Sequence, residues 1–301
     1  GKNIVSGSYD KTIKVWDLNG NCLKTFKEHK DWLGAIAISP DSKYIFSGSY
    51  DNTIKIWDFN GICINTLTEH EKPIETITVT HKGNYIISGS DDKTIRIWDF
   101  YGNCLRIFTG HKDSVKTVSV NFEGKNIVSG SYDKTIKIWD FYGNCLNTFE
   151  GHKNSVETIV ITSDGKNIIS GSNDKTIKFW DLNGNCLNTL TEHNYSISSL
   201  LITNSGKTLV SADTNGIVKL WDIENILNKR LSDTEYPNFD NQKKQYFKWD
   251  SLWTVSHGYT KNCDYPISAP DGSQVFPWMC HKNKEKVRSE EHTSELQSHH
   301  P

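Results

Sequence analysis

A histidine, a serine and an aspartate return at fixed offsets along this chain of 301 residues, and a tryptophan six residues beyond the acid closes each set. The sets are His29, Ser47, Asp51 and Trp57; His70, Ser88, Asp92 and Trp98; His111, Ser129, Asp133 and Trp139; and His152, Ser170, Asp174 and Trp180. A last set, His193, Ser211, Asn215 and Trp221, has asparagine in the acid's place. Serine, histidine and carboxylate are the parts of an acyl-transfer site, where imidazole takes the hydroxyl proton and the acid orients the imidazole. A hydrolase needs that arrangement once, whereas here it recurs in every repeat unit, which points to a structural duty. Indole N–H only donates, carboxylate only accepts, and hydroxyl and imidazole do both. The four side chains can form one donor-to-acceptor chain, each bond contributing about 1 kcal/mol net. No catalytic residue and no cofactor is expected.

The elements that must position these residues repeat with them. Trp-Asp pairs at 16–17, 57–58, 98–99, 139–140, 180–181 and 221–222 recur at one unbroken interval. The first complete unit starts near Glu28-His29, with an inner strand marked by Leu33, Ile36 and Ile38. A turn at Ser39-Pro40-Asp41-Ser42 follows, then strands over 44–49, 53–57 and 62–67. Asn19-Gly20 between apolar runs signals a hairpin in which both residues take positive φ. Residues 2–26 and 125–149 differ at only four of 25 positions, so the units are near copies. An interval of about 41 residues closed by Trp-Asp suits four-stranded propeller blades. The expected fold is all-β: a β-propeller of four-stranded antiparallel blades, with five complete units and one partial unit that keeps Ser6, Asp10 and Trp16.

Composition excludes several functions. Net charge is -2, with Lys and Asp/Glu interspersed, so no basic patch for nucleic acid is expected. No apolar run reaches the length of about 18 residues needed to cross a membrane. Five of the seven cysteines, Cys22, Cys63, Cys104, Cys145 and Cys186, share one repeat position, too far apart for disulfides. They read as reduced packing residues, which suits a cytoplasmic, intracellular protein. His257, Cys263, Cys280 and His281 match no zinc-finger spacing, so no metal site is expected.

Gly-His or Glu-His, then Ser, the turn Asp and Trp-Asp at this period, resemble the WD-repeat β-propellers over residues 1 to about 231. The resemblance implies a ring whose first strands line a channel and whose loops bind protein or peptide partners. It departs from the family pattern where Glu28, Glu69 and Glu192 replace glycine and where Asn215 replaces the turn Asp. The positions to watch are then the residue before the turn Asp, and those three and five places after the His. The first class holds Tyr9, Tyr50, Asp91, Tyr132, Asn173 and Thr214. The second holds Trp32, Pro73, Ser114, Ser155 and Ser196, and the third Gly34, Glu75, Lys116, Glu157 and Ser198. Trp32, Tyr9, Tyr50, Tyr132, Glu75, Lys116 and Glu157 are the candidate contacts, with the rim around Trp32 and Tyr50 as the main one. The expected role is a non-catalytic scaffold; the alternative is the sensor or recruitment arm of a larger enzyme or signalling protein.

Past Trp221-Asp222 the repeat wears out, and 223–231 reads as a divergent fourth strand or a short helix. Residues 232–287 read as a degenerate blade or the start of another domain, and Ala269-Pro270-Asp271-Gly272 echoes the turn at 39–42. Residues 288–301 match the conceptual translation of a common sequencing adapter. The chain is expected to be a piece of a ring of seven or more blades. The parent ring is expected to be monomeric, and the open piece is expected to associate.

Overall fold

The third-strand motif Ile-Lys-Ile-Trp-Asp shows why this sequence makes sheets. Its β-branched residues favour extended backbone, and Ile54, Ile56 and Trp57 are buried while Lys55 is partly exposed. The computed structural model describes residues 3–121, 123–228, 267–268 and 274–275.

Six antiparallel sheets follow one another as the blades of a propeller. The first holds β1 (Asn3–Gly7), β2 (Ile13–Asp17) and β3 (Cys22–Phe26). The second holds β4 (Leu33–Ile38), β5 (Tyr44–Ser49), β6 (Ile54–Asp58) and β7 (Cys63–Leu67). The third holds β8 (Ile74–Val79), β9 (Tyr85–Ser90), β10 (Ile95–Asp99) and β11 (Cys104–Phe108). The fourth holds β12 (Val115–Val120), β13 (Asn126–Ser131), β14 (Ile136–Asp140) and β15 (Cys145–Phe149). The fifth holds β16 (Val156–Ile161), β17 (Asn167–Ser172), β18 (Ile177–Asp181) and β19 (Cys186–Leu190). The sixth holds β20 (Ile197–Ile202), β21 (Thr208–Asp213) and β22 (Val218–Asp222), and helix α1 (Ile223–Asn228) follows it. Each sheet keeps chain order, and the inner strands β4, β8, β12, β16 and β20 pack on one another in sequence.

The core is a series of layers between successive sheets. One layer sets Val5, Ile13, Val15 and Phe26 of the first sheet against Leu33, Ile45 and Trp57 of the second. The next sets Phe46, Ile54, Ile56 and Leu67 against Ile74, Ile77, Ile86 and Trp98. Each tryptophan thus faces the preceding sheet: Phe26–Trp57 ring centroids lie 5.5 Å apart, and Phe108–Trp139 and Phe149–Trp180 5.6 Å. Truncating such a ring to alanine typically costs about 3–5 kcal/mol.

One local feature differs from expectation, and another takes one of the two forms expected. In the Asn19-Gly20 hairpin only Gly20 has positive φ, at 84°. Asp17 makes the second positive φ unnecessary: its Oδ1 accepts the N–H groups of Asn19 and Asn21, and its carbonyl accepts that of Gly20. The residues after Asp222 form α1, the second of the two forms expected there. Asp222 caps it, its Oδ1 accepting the Asn225 N–H at 3.0 Å, and Ile223 is buried in the last core layer. The Asn188 side chain donates to the Ile226 carbonyl at 3.2 Å, as Asn65 donates to Tyr101 in a hairpin turn. The helix therefore takes the place of that turn.

A further regularity was hidden from the sequence. Every inner strand carries a register shift near its start: between Leu33 and Ala35, Ile74 and Thr76, Val115 and Thr117, Val156 and Thr158, and Ile197 and Ser199. The skipped residues are Gly34, Glu75, Lys116, Glu157 and Ser198. A bulge re-aims the side chain of its extra residue. The expectations for 232–287 and 288–301, and those for His257, Cys263, Cys280 and His281, lie outside the described residues. Only a short ladder, β23 (Ile267–Ser268) with β24 (Gln274–Val275), is described there, and it flanks Ala269-Pro270-Asp271-Gly272.

Candidate functional site

Strand pairing brings the repeated polar side chains together. In the second sheet the Trp57 indole donates to Ser47 Oγ at 2.8 Å, Ser47 Oγ lies 2.7 Å from His29 Nε2, and His29 Nδ1 lies 2.9 Å from Asp51. The carboxylate accepts from Nδ1, leaving Nε2 to accept the serine proton. His70, His111 and His152 repeat this with Ser88 and Asp92, Ser129 and Asp133, and Ser170 and Asp174, at 2.6–2.9 Å. Trp98, Trp139 and Trp180 donate to the same serines. A threonine two residues past each acid adds a bond, as from Thr53 to Asp51 at 2.6 Å. Burial disfavours the charged forms of Asp51, Asp92, Asp133 and Asp174. The histidine and threonine bonds outweigh it and hold these carboxyls below the usual range. Burial pushes the His70 imidazole down, against the pull of Asp92. Ser47, Ser88, Ser129, Ser170 and Ser211 are fully buried, and each hydroxyl already holds an indole and an imidazole. No substrate reaches them in this state.

The sixth sheet corrects one expectation. His193 pairs with Asp213 at 2.8 Å, and Asn215 is not its acceptor. Asp213 occupies the place of Ser49 and Ser90, and its longer, charged side chain reaches the imidazole. It also accepts the N–H groups of Asn215 and Ile217 at 3.0 and 3.1 Å. The signal lay in Ser211-Ala212-Asp213, where an acid enters two residues before the acid is lost. The glutamates that replace glycine also find partners: Glu28 with Lys55 (3.7 Å), Glu69 with Arg96 (3.2 Å) and Glu192 with Lys219 (3.9 Å). Gly110 and Gly151, at the same repeat position, both adopt strongly positive φ, a conformation open to glycine.

On the rim, one backbone bond ties the two loops of each of several sheets, such as Tyr50 N–H to the Trp32 carbonyl at 2.7 Å. Trp32 stands between two tyrosines. Tyr9 stacks on it with centroids 4.5 Å apart and planes at 22°; Tyr50 lies 5.9 Å away, tilted 39°. Trp32 remains 41% exposed. Gly34 makes room for this group, because a Cβ there would clash with the Ile74 carbonyl oxygen and come within 3.3 Å of the Tyr50 ring.

A buried polar chain continues from the shelf. Tyr50 donates to Glu75 at 2.9 Å, Glu75 pairs with Lys116 at 2.7 Å, and the Lys116 ammonium sits 4.6 Å from the Tyr132 ring centroid. Glu157 accepts from Ser155 and Asn173 at 2.6 and 2.7 Å, and Ser114 donates to Asp91 across two sheets. Burial, then Glu75, pushes the Tyr50 phenol far up. Burial works against the Lys116 ammonium, but Glu75 more than offsets it and raises Lys116. Burial raises Glu157, Asp91 and Tyr132. Glu75 and Lys116 are therefore not surface contacts as expected: their side chains are 2% and 3% exposed, and they neutralise each other. Tyr132 is exposed but stands with Lys116, apart from the Trp32 stack. The five repeated cysteines are free, as expected, but Cys22, Cys145 and Cys186 are exposed on outer strands and do not serve as packing residues.

Comparison with known proteins agrees with this geometry. The WD domain, G-beta repeat family matches residues 1–17, 20–58, 61–99, 102–140, 143–181 and 184–222. The chain is 48% identical over 42 residues to nuclear distribution protein PAC1 of Arthroderma otae, covering 14% of this chain and 9% of that protein. It is 52% identical over 40 residues to nuclear distribution protein nudF 1 of Talaromyces marneffei, covering 13% and 9%. The chain thus spans about a tenth of the length of these relatives, one repeat unit's worth. With six matched repeats covering most of its described residues, the chain belongs to the WD-repeat family of β-propellers.

Proposed function

We propose that this propeller is a non-catalytic scaffold that binds protein or peptide partners on the rim around Trp32. The observation that carries the reading is an exposed tryptophan held between two tyrosines on loops that are otherwise bonded down. Exposed aromatic anchors of this kind dominate binding energy at interfaces. The buried serines count against a hydrolytic role. The free, exposed cysteines suit a reducing, cytoplasmic location. The match to the nuclear distribution proteins is one repeat long, so it carries the repeat and assigns no role in nuclear distribution.

The test compares wild type with Trp32→Ala by proximity labelling in cells, alongside thermal melting. Loss of labelled partners at an unchanged melting temperature supports the reading. Equal loss of partners and stability, or no loss of partners, refutes it.

A further inference from the structure

We propose that the Tyr9–Trp32–Tyr50 shelf receives an uncharged, proline-bearing extended segment of a partner, with the Trp32 indole N–H donating to one of that segment's backbone carbonyls. The inference rests on the reading that the rim around Trp32 is the contact surface, and it names the chemistry of what binds there.

The first ground is the indole itself. Trp16, Trp57, Trp98, Trp139, Trp180 and Trp221 each donate to a serine hydroxyl. Among the described residues the Trp32 indole N–H meets no acceptor; the side chain's contacts are the rings of Tyr9 and Tyr50. An indole N–H is a donor only, so its complement is an acceptor.

The second ground is the ring geometry. Tyr9 and Trp32 are in face contact, so no cation fits between them. A cage for an ammonium group needs ring faces turned toward the cation. What remains open is the edge of the stack and a wedge between Trp32 and the tilted Tyr50, a ledge on which saturated rings can lie.

The third ground is charge. Four ionisable groups beside the shelf, Lys11, Asp31, Asp91 and Glu75, are already engaged. Lys11 donates to the Lys30 carbonyl at 2.8 Å and lies 3.9 Å from Asp31. Asp91 accepts from Ser114, and Glu75 is matched by Lys116. None of these four groups calls for a charged ligand. Strand addition is also disfavoured, because the local backbone is paired: Tyr50 N–H with the Trp32 carbonyl and Leu33 N–H with the Ser8 carbonyl.

A polyproline II segment meets all three conditions. It is uncharged, it presents pyrrolidine rings, and its carbonyls make no internal hydrogen bonds. Such segments dock on aromatic-lined surfaces with little ordering cost, because they are already extended. The shelf is equally pre-ordered, since Glu75 holds the Tyr50 hydroxyl and Gly34 leaves space for the ring.

The experiment pans a random twelve-residue peptide display library on the full chain, on Trp32→Ala and on Trp32→Phe, with melting curves for each. The expected peptides carry prolines three residues apart and bind equally at low and high salt. They lose about 30-fold in affinity on Trp32→Ala and roughly fivefold on Trp32→Phe, which keeps a ring and removes the donor. Trp32-dependent peptides without that proline spacing, or with binding that weakens steeply in salt, would overturn this inference and leave the rim reading standing. A Trp32→Phe variant that binds like wild type would overturn the donor role. Absence of any Trp32-dependent peptide would overturn both readings.

Discussion

Asp213→Ser tests whether the sixth sheet truly moved its acid by two residues. The variant places in that sheet the serine found at Ser49, Ser90, Ser131 and Ser172. In those sheets the hydroxyl accepts the N–H two residues on, as Ser49 does from Asp51 at 3.1 Å. A serine at 213 would therefore keep the Asn215 N–H and lose the bonds to His193 and Ile217. Asp213 is 3% exposed, so water does not replace them freely. Bonds to a charged acceptor are worth about 1.5–3 kcal/mol each at most, and partial relaxation brings the expected loss to about 2–4 kcal/mol. Asn215→Asp alone crowds two carboxylates around one imidazole and should cost roughly 0.5–1 kcal/mol. Combined, the new acid stands where Asp51 stands in its sheet and can take both orphaned donors. The double variant should then lie within about 1 kcal/mol of wild type, a coupling of about 2–4 kcal/mol. Urea unfolding at neutral pH measures the sums, and hydrogen exchange over 197–222 localises the effect. The reasoning fails if Asp213→Ser costs under about 0.5 kcal/mol, or if Asn215→Asp deepens its loss.

Lys116→Met should destabilise by about 3–5 kcal/mol, because it strands the buried Glu75 carboxylate; adding Glu75→Gln should recover most of that in urea titrations. Gly34→Ala should cost about 1–3 kcal/mol, because a Cβ there would press on the Ile74 carbonyl, which cannot yield; unchanged urea midpoints would contradict it. The lowered carboxyls of Asp51, Asp92, Asp133 and Asp174 bind fewer protons folded than unfolded, so their stabilisation is present above the ordinary aspartate range. It should fade as pH falls below about 5. Asp91 and Glu157 are raised and act in the opposite sense, gaining as pH falls, but they are outnumbered. Melting temperature should therefore drop in acid, and Asp133→Asn should flatten that slope.

How much of this was legible depended on whether a feature repeats. The period of Trp57, Trp98, Trp139 and Trp180 marked the third strands, because an indole buried against the preceding sheet leaves a fixed residue at a fixed interval. The serine–histidine contacts followed from donor and acceptor capacity alone. The fate of Glu75 and Lys116 did not, since they were read as rim charges from their offset past the histidine. The bulge at that offset turns them between sheets, and a pairing register is a property of two strands that neither shows alone. Asp213 was missed for a related reason: counting by the repeat interval lands on Asn215, while a longer side chain two residues earlier does the bonding. The Trp32 shelf was half legible. Trp32 stood out by size against Pro73, Ser114, Ser155 and Ser196, but its stacking on Tyr9 depends on how two neighbouring sheets meet.

Each buried tryptophan hydrogen-bonds within its own sheet and packs its ring on the sheet before, so it belongs to two sheets at once. Such a chain of shared rings behaves as a one-dimensional lattice with nearest-neighbour coupling. A sheet that opens withdraws packing from the next indole along, while sheets two steps away feel nothing directly. Trp57, Trp98, Trp139 and Trp180 are almost fully buried, whereas Trp16 and Trp221 are only partly so. Amide protection should accordingly crest in the sheets from β4 to β19 and decline toward β1 and β22. Among the described residues, opening would begin in the first and sixth sheets, whose tryptophans are the less buried ones, and spread by way of the shared rings.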